Sequence, residues 1–224
     1  EGLTKVRFRL QSRLRTGTEL RDYFLYYSNP VSGLPPDAVR NVYLMADPFD
    51  LDLSQWDTGA AVGDWSDPSL LDANDPAATH YYLEQDHILM PDDYVVEWDA
   101  LALSDGSVQN FYHTLLVDPA DPLRRIVVGG NVSSTQWELV RWITATTQDT
   151  PLSTSAEVIT TNTFYACETR MLADTVTFQV NGARRFSTLL TGVETGWDPI
   201  AGLAHNDSHA RFANVRLRMH ADIE

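Results

Sequence analysis

Apolar and polar residues alternate in short bursts along most of this chain. Val176, Phe178 and Val180 alternate with Thr175, Thr177 and Gln179. Period two puts each set on its own face, so this stretch predicts a half-buried strand. Asn181-Gly182 follows at once, and that pair predicts a tight hairpin, because both central turn residues take positive φ. The same alternation places Tyr94, Val96 and Trp98 on one face of a strand and Val95, Glu97 and Asp99 on the other. Further strands are predicted over 110–117, 124–129, 136–145, 155–162, 163–171, 183–190, 199–204 and 211–219. Asp118-Pro119-Ala120-Asp121-Pro122 reads as a turn. No segment holds a 3.6-residue period over three turns. Many short strands with turn signals between them predict an all-β, antiparallel jelly-roll β-sandwich.

The first forty residues read differently. Val6, Phe8 and Leu10 alternate with Lys5, Arg7 and Arg9, giving a strand with one basic face. Asp22 to Tyr27 is aromatic on both faces, and a stretch with Pro35-Pro36 follows as a linker. The expected division is an N-terminal β segment and linker over 1–41 and the sandwich over 42–224.

Composition narrows the function classes. The 224 residues carry 31 acidic and 16 basic side chains, a formal net charge of −15. Nucleic-acid binding relies on Lys and Arg to neutralise phosphates, so it is not expected here. Lys5 stands alone among the lysines. Such a composition suits a high-salt setting, where acidic groups aid solubility, and it equally suits a genome rich in Arg codons. No run of 18 apolar residues is present, so no helical membrane insertion is expected. The chain opens Glu1-Gly2-Leu3-Thr4-Lys5, without an initiator Met or a basic-then-apolar leader, as a processed chain or a piece of a longer one would. Cys167 is the single cysteine, which rules out an intrachain disulfide and predicts a buried thiol.

From Phe49 onward the order of features is familiar. Ser54-Gln55-Trp56 is followed by Tyr94-Val95-Val96-Glu97-Trp98-Asp99, strands around Trp137 and Trp142, and the Asn181-Gly182 hairpin. Ala201-Gly202-Leu203 and Arg211-Phe212-Ala213-Asn214-Val215 close the series. This resembles the concanavalin A-like lectin/glucanase superfamily in its laminin-G-like and pentraxin-like branch, over residues 46–220. Ala213 stands where that family usually has Asp. Tyr23 to Pro30 is similar to the end of a small β domain of unknown function that closes on Tyr-Tyr-Gly-Asn-Pro and often precedes such a sandwich in surface proteins.

The resemblance implies a structural calcium near the first and last strands. Asp47, Asp50, Asp52 and Asp222 are the candidate ligands, since calcium takes hard oxygens. It also implies a surface glycan or neighbouring protein subunits as partners. Sugar recognition uses aromatic platforms beside hydrogen-bonding groups. Trp197, in the turn Thr195-Gly196-Trp197-Asp198-Pro199, is expected at the surface, and Trp142, Tyr112 and His113 are the other candidate contacts. Trp137 and Trp142 are five residues apart, so an unbroken strand sends at most one of them into the core.

Catalysis by a glycoside hydrolase needs two flanking carboxylates. Glu84/Asp86 and Glu97/Asp99 begin the laminarinase-like Glu-x-Asp-x-x-Glu pattern, and both lack its last Glu. No catalytic residue is assigned. His205-Asn206-Asp207-Ser208-His209 reads as a polar hairpin tip. The function expected is a non-catalytic binding or assembly module on an extracellular, cell or virion surface. A carbohydrate-active enzyme or its accessory domain is the rival, and a purely structural filament or capsid-associated subunit is the third reading.

Overall fold

The structure is a computed structural model. It describes residues 43–47, 56–57, 71–74, 80–85, 90–91, 93–104, 110–143, 147–192, 196–206 and 209–219. Among these, fourteen strands form: β1 (Met45–Asp47), β2 (Trp56–Asp57), β3 (Leu71–Asn74), β4 (His80–Gln85), β5 (Tyr94–Ala102), β6 (Asn110–Asp118), β7 (Asp121–Asn131), β8 (Gln136–Trp142), β9 (Ser153–Ala156), β10 (Tyr165–Leu172), β11 (Thr175–Val180), β12 (Ala183–Leu189), β13 (Asp198–Asn206) and β14 (His209–Met219). They pair antiparallel into two seven-stranded sheets. The first runs β1-β14-β5-β10-β11-β12, with β3 also on β14; the second runs β2-β4-β13-β6-β7-β8-β9. The fold is the expected all-β, antiparallel sandwich. The segment expected over 1–41 lies outside the described residues.

Alternation turns one set of side chains from each sheet inward. Tyr94, Val96, Trp98 and Ala100 of β5 meet Phe111 and Leu115 of β6, Ile126 and Val128 of β7, and Trp137 and Leu139 of β8. Trp98 is the hub of this layer. Its ring lies 6.2 Å from Phe111, 6.4 Å from Phe178 and 6.2 Å from Phe212. Its indole N–H donates to Thr169 Oγ1 at 3.3 Å. A hydrogen bond also spans the sheets: the Tyr94 hydroxyl donates to the Leu115 carbonyl at 3.0 Å. Cys167 is buried on the inward face of β10 with Met171, as its alternation predicts, and burial pushes its thiol pKa well up.

The Asn181-Gly182 turn forms with φ of 51° and 78°, so both residues take the left-handed conformation the hairpin requires. The predicted strand over 155–162 does not form as read. β9 ends at Ala156, and the chain leaves the sheet at Glu157. The cause is a competing set of partners. Glu157 accepts from the Trp137 indole N–H and pairs with Arg185 of β12 at 2.9 Å, which ties the edge of one sheet to the edge of the other.

The outward face of the first sheet is a charged ladder. Glu97 and Glu168 stand directly opposite each other across β5 and β10. Like charges so placed destabilise a pair of strands, and arginines offset this. Arg170 contacts Glu168 at 2.6 Å, while Arg218 reaches Glu97 at 3.5 Å and Glu168 at 3.7 Å.

Candidate functional site

Residues of β6, β7 and β8 that turn away from the first sheet build the most organised polar cluster among the described side chains. Strand register fixes it. Ala204 of β13 pairs with Tyr112 of β6, Tyr112 with Gly129 of β7, Gly129 with Glu138 of β8, and Glu138 with Thr154 of β9. Gly129 has no side chain, so the Tyr112 phenol passes across its strand. The hydroxyl donates to Glu138 Oε1 at 2.5 Å. The same carboxylate accepts from Asn131 Nδ2 at 3.1 Å and from Gln136 Nε2 at 2.7 Å. Glu138 is 2% exposed and Tyr112 is fully buried. A buried carboxylate is tolerated when several donors satisfy it. Burial and the neighbouring Glu138 carboxylate both push the Tyr112 phenol pKa well above its usual value, so it stays a neutral donor.

Trp142 completes the cluster. Its ring meets Tyr112 edge-on, with centroids 5.7 Å apart and planes at 83°. Val127, Val140 and Ala204 pack with these two rings in an apolar group separate from the inter-sheet core. Trp137 points into that core, so the pair divides between the two faces as their odd spacing requires. Tyr112, Val127, Val140 and Trp142 are all closed to solvent. They therefore form a floor. The accessible part is its rim, where Asn131, Gln136 and Gln148 are half-buried. The Gln148 side chain lies beside the same phenol, and its backbone bridges to Trp142. Chemically, this is a set of amide donors and acceptors held rigid by one carboxylate, backed by aromatic rings.

Of the four candidate ligand contacts, the structure brings Tyr112 and Trp142 together and separates the other two. His113 neighbours Tyr112 on β6 and so points the opposite way. It is 1% exposed, with its ring 6.1 Å from Trp98. Trp197 is not at the surface as expected. It is 8% exposed, and the Arg124 guanidinium covers its ring at 5.4 Å, held there by Asp118 at 2.7 Å. Glu138, Asn131, Gln136 and Gln148 were missed. A signal for Glu138 is present: a lone carboxylate in Trp137-Glu138-Leu139-Val140, a run apolar enough to be buried on both faces.

The calcium candidates are not assembled by anything described. Asp50, Asp52 and Asp222 lie outside the described residues; Asp47 pairs through its backbone with Val215 of β14. Among the described residues, no group of three or more His, Cys, Asp or Glu side chains is arranged to hold a metal ion. Glu97 and Asp99 do share a face, the outward face of the first sheet. Glu97 faces Arg218, and Asp99 accepts from Asn214 Nδ2 at 2.8 Å. His205 is not a hairpin-tip residue: β13 continues to Asn206 and His205 is 2% exposed.

No protein family profile matches the chain, and no curated protein matches it in sequence. Solved structures do share its fold. The carbohydrate-binding module CBM66 from Bacillus subtilis is 12% identical with a TM-score of 0.58, covering 73% of this chain and 95% of that one. The exoplasmic/lumenal domain of VIP36, in a Ca2+/Man-bound form, is 8% identical with a TM-score of 0.56, covering 76% and 85%. A putative glycosyl hydrolase from Parabacteroides distasonis is 12% identical with a TM-score of 0.54, covering 76% and 90%. At these identities the likeness establishes the lectin-like, concanavalin A-like β-sandwich fold. It gives no specific support to the laminin-G-like branch.

Tyr112→Phe tests the cluster's energetics. Removing the hydroxyl strips a buried carboxylate of the closest of its three donors while keeping the ring, so the loss should be about 1–3 kcal/mol in urea unfolding.

Proposed function

We propose that this chain is a non-catalytic carbohydrate-binding module and that the glycan is recognised at the rim of the second sheet. The observation that carries this reading is the buried carboxylate of Glu138, which holds the Asn131 and Gln136 amides in place beside the Tyr112–Trp142 ring pair. Sugar hydroxyls need donors and acceptors fixed in direction, and amides held from behind lose little entropy on binding. The fold is one that CBM66 and VIP36 share. An extracellular, cell-surface or virion setting, with neighbouring subunits as further partners, belongs to the same proposal. So does a structural calcium at Asp47, Asp50, Asp52 and Asp222, for which the Ca2+-bound form of VIP36 is the support.

The enzyme reading has less behind it. Glycoside hydrolysis requires one carboxyl free to give a proton and a second free to attack or to activate water. Glu138 is occupied by three donors, and Glu97 and Asp99 face Arg218 and Asn214.

The test is a glycan array, with and without added Ca2+, followed by titration calorimetry on the best hit. Gln136→Ala should weaken binding about tenfold, the worth of one net hydrogen bond, with no glycan hydrolysis on prolonged incubation. Silence across the array, or equal binding by the variant, would remove the reading.

A further inference from the structure

A second polar group lies inside the sandwich, and the binding floor does not use it. His113 sits in the middle of β6 and turns into the inter-sheet core. It is 1% exposed, and neither ring nitrogen has a hydrogen-bond partner. Its strand neighbours in register are Val128 of β7 and Leu203 of β13, both inward-facing and apolar. Across the core is Trp98, its ring tilted 45° to the imidazole. Next to it, Thr114 is fully buried and its hydroxyl is also unpartnered.

The backbone at this point is irregular. The register of β6 against β7 shifts between Thr114 and Leu116, and β13 shifts against β6 between Pro199 and Gly202. A bulge interrupts the ladder on the strand that carries it. Two unpartnered polar side chains, one on each face, and two register shifts thus fall at the centre of the second sheet.

We infer that His113 is a proton-sensitive latch: the sandwich closes over a neutral imidazole, and acid opens the second sheet at the β6 bulge. An imidazolium carries two N–H donors and a charge. Among the described residues, no carboxylate or other acceptor side chain hydrogen-bonds it. The titratable groups on the inward faces around it are His205 of β13, Tyr94 of β5 and Cys167 of β10. His205 sits two residues from Leu203, the Tyr94 hydroxyl is committed to Leu115, and a second imidazole or a neutral thiol does not stabilise a cation. On β6 itself, the one carboxylate is Asp118 at the strand end, paired with Arg124. Burial pulls the His113 pKa from 6.5 down to about 3, so the folded state binds fewer protons than the unfolded one. Stability is then full above the unfolded pKa, near 6.5, and is lost as pH falls below it. The folding equilibrium constant should drop close to tenfold per pH unit there, about thirtyfold by pH 5.

The experiment is urea unfolding of the wild-type chain and of His113→Leu at pH 7.5, 6.5, 5.5 and 5.0. The wild type should lose the stated factor relative to the variant, whose pH dependence keeps only what other groups contribute. Matching curves for wild type and His113→Leu would overturn the proposal. A second measurement needs no variant to fold: the His113 imidazole proton resonance of the wild type should not titrate between pH 7.5 and 5 while the chain remains folded. Titration in the folded state with a midpoint near 6.5 would also overturn it.

Discussion

Gly129→Ala should abolish or severely reduce folded protein. An added Cβ would sit 2.0 Å from the Phe111 carbonyl oxygen and 2.8 Å from the Tyr112 Cα. Both obstacles are backbone, so no rotamer change relieves them. Relief would require β7 to move off β6, breaking a central ladder of the second sheet. Overpacking a core typically costs about 1–3 kcal/mol, and a backbone clash belongs at or beyond the top of that range. The variant should also lose the Tyr112–Glu138 bond, because moving β7 off β6 disturbs the register that sets Tyr112 and Glu138 on either side of Gly129. Expression yield, melting temperature and tyrosine absorbance against pH would show it. A melting temperature within about 3 °C of the parent would mean that β6 and β7 adjust freely, contrary to the packing described.

Trp98→Ala should be the most damaging change on the inward face. Its indole contacts Phe111 from the second sheet and Phe178 and Phe212 from the first, and it is 1% exposed. Truncation leaves a cavity that three rings from different strands cannot collapse into together. A loss of about 3–5 kcal/mol is expected, which for a chain of this length means a fall of roughly 6–20 °C in melting temperature. Trp98→Phe should recover a good part of it, since the ring contacts survive and only the indole bond to Thr169 is lost. Equal losses for both substitutions would show that the indole N–H, not the ring, holds the site.

Local pattern made much of the fold readable. Strand β11, its Asn181-Gly182 turn and the inward placement of Cys167 and Met171 follow from alternation over a few residues, where side-chain period and turn conformation are local properties. The same holds for Glu97 and Asp99 sharing a face. β9 was misread because its end is set by Glu157, whose partners Trp137 and Arg185 are 20 and 28 residues away. His205 was misread for a similar reason. Its polarity matched a hairpin tip, but pairing of His205 with Tyr81 and of Asn206 with His80 on β4 draws β13 on to Asn206.

The site was legible only in part. Tyr112 and Trp142 were picked out as aromatic residues, yet nothing local says that they meet. They lie on strands separated by β7, and their contact depends on the register of two strand pairs. His113 was grouped with them by adjacency in sequence, and adjacency in a strand means opposite faces. Trp197 was assigned to the surface because it sits in a turn, without knowledge that Arg124 would cover it.

By itself, the sequence determined that this chain alternates, where it turns, and that its strands can each bury one face. It could not say which face of β6 and β8 would turn to the inter-sheet core, because these strands are buried on both faces and neither face reads as the outer one. Tertiary structure decided that by bringing the sheets together around Trp98. With that choice Tyr112 and Glu138 were turned outward across Gly129, and His113 was sealed inside.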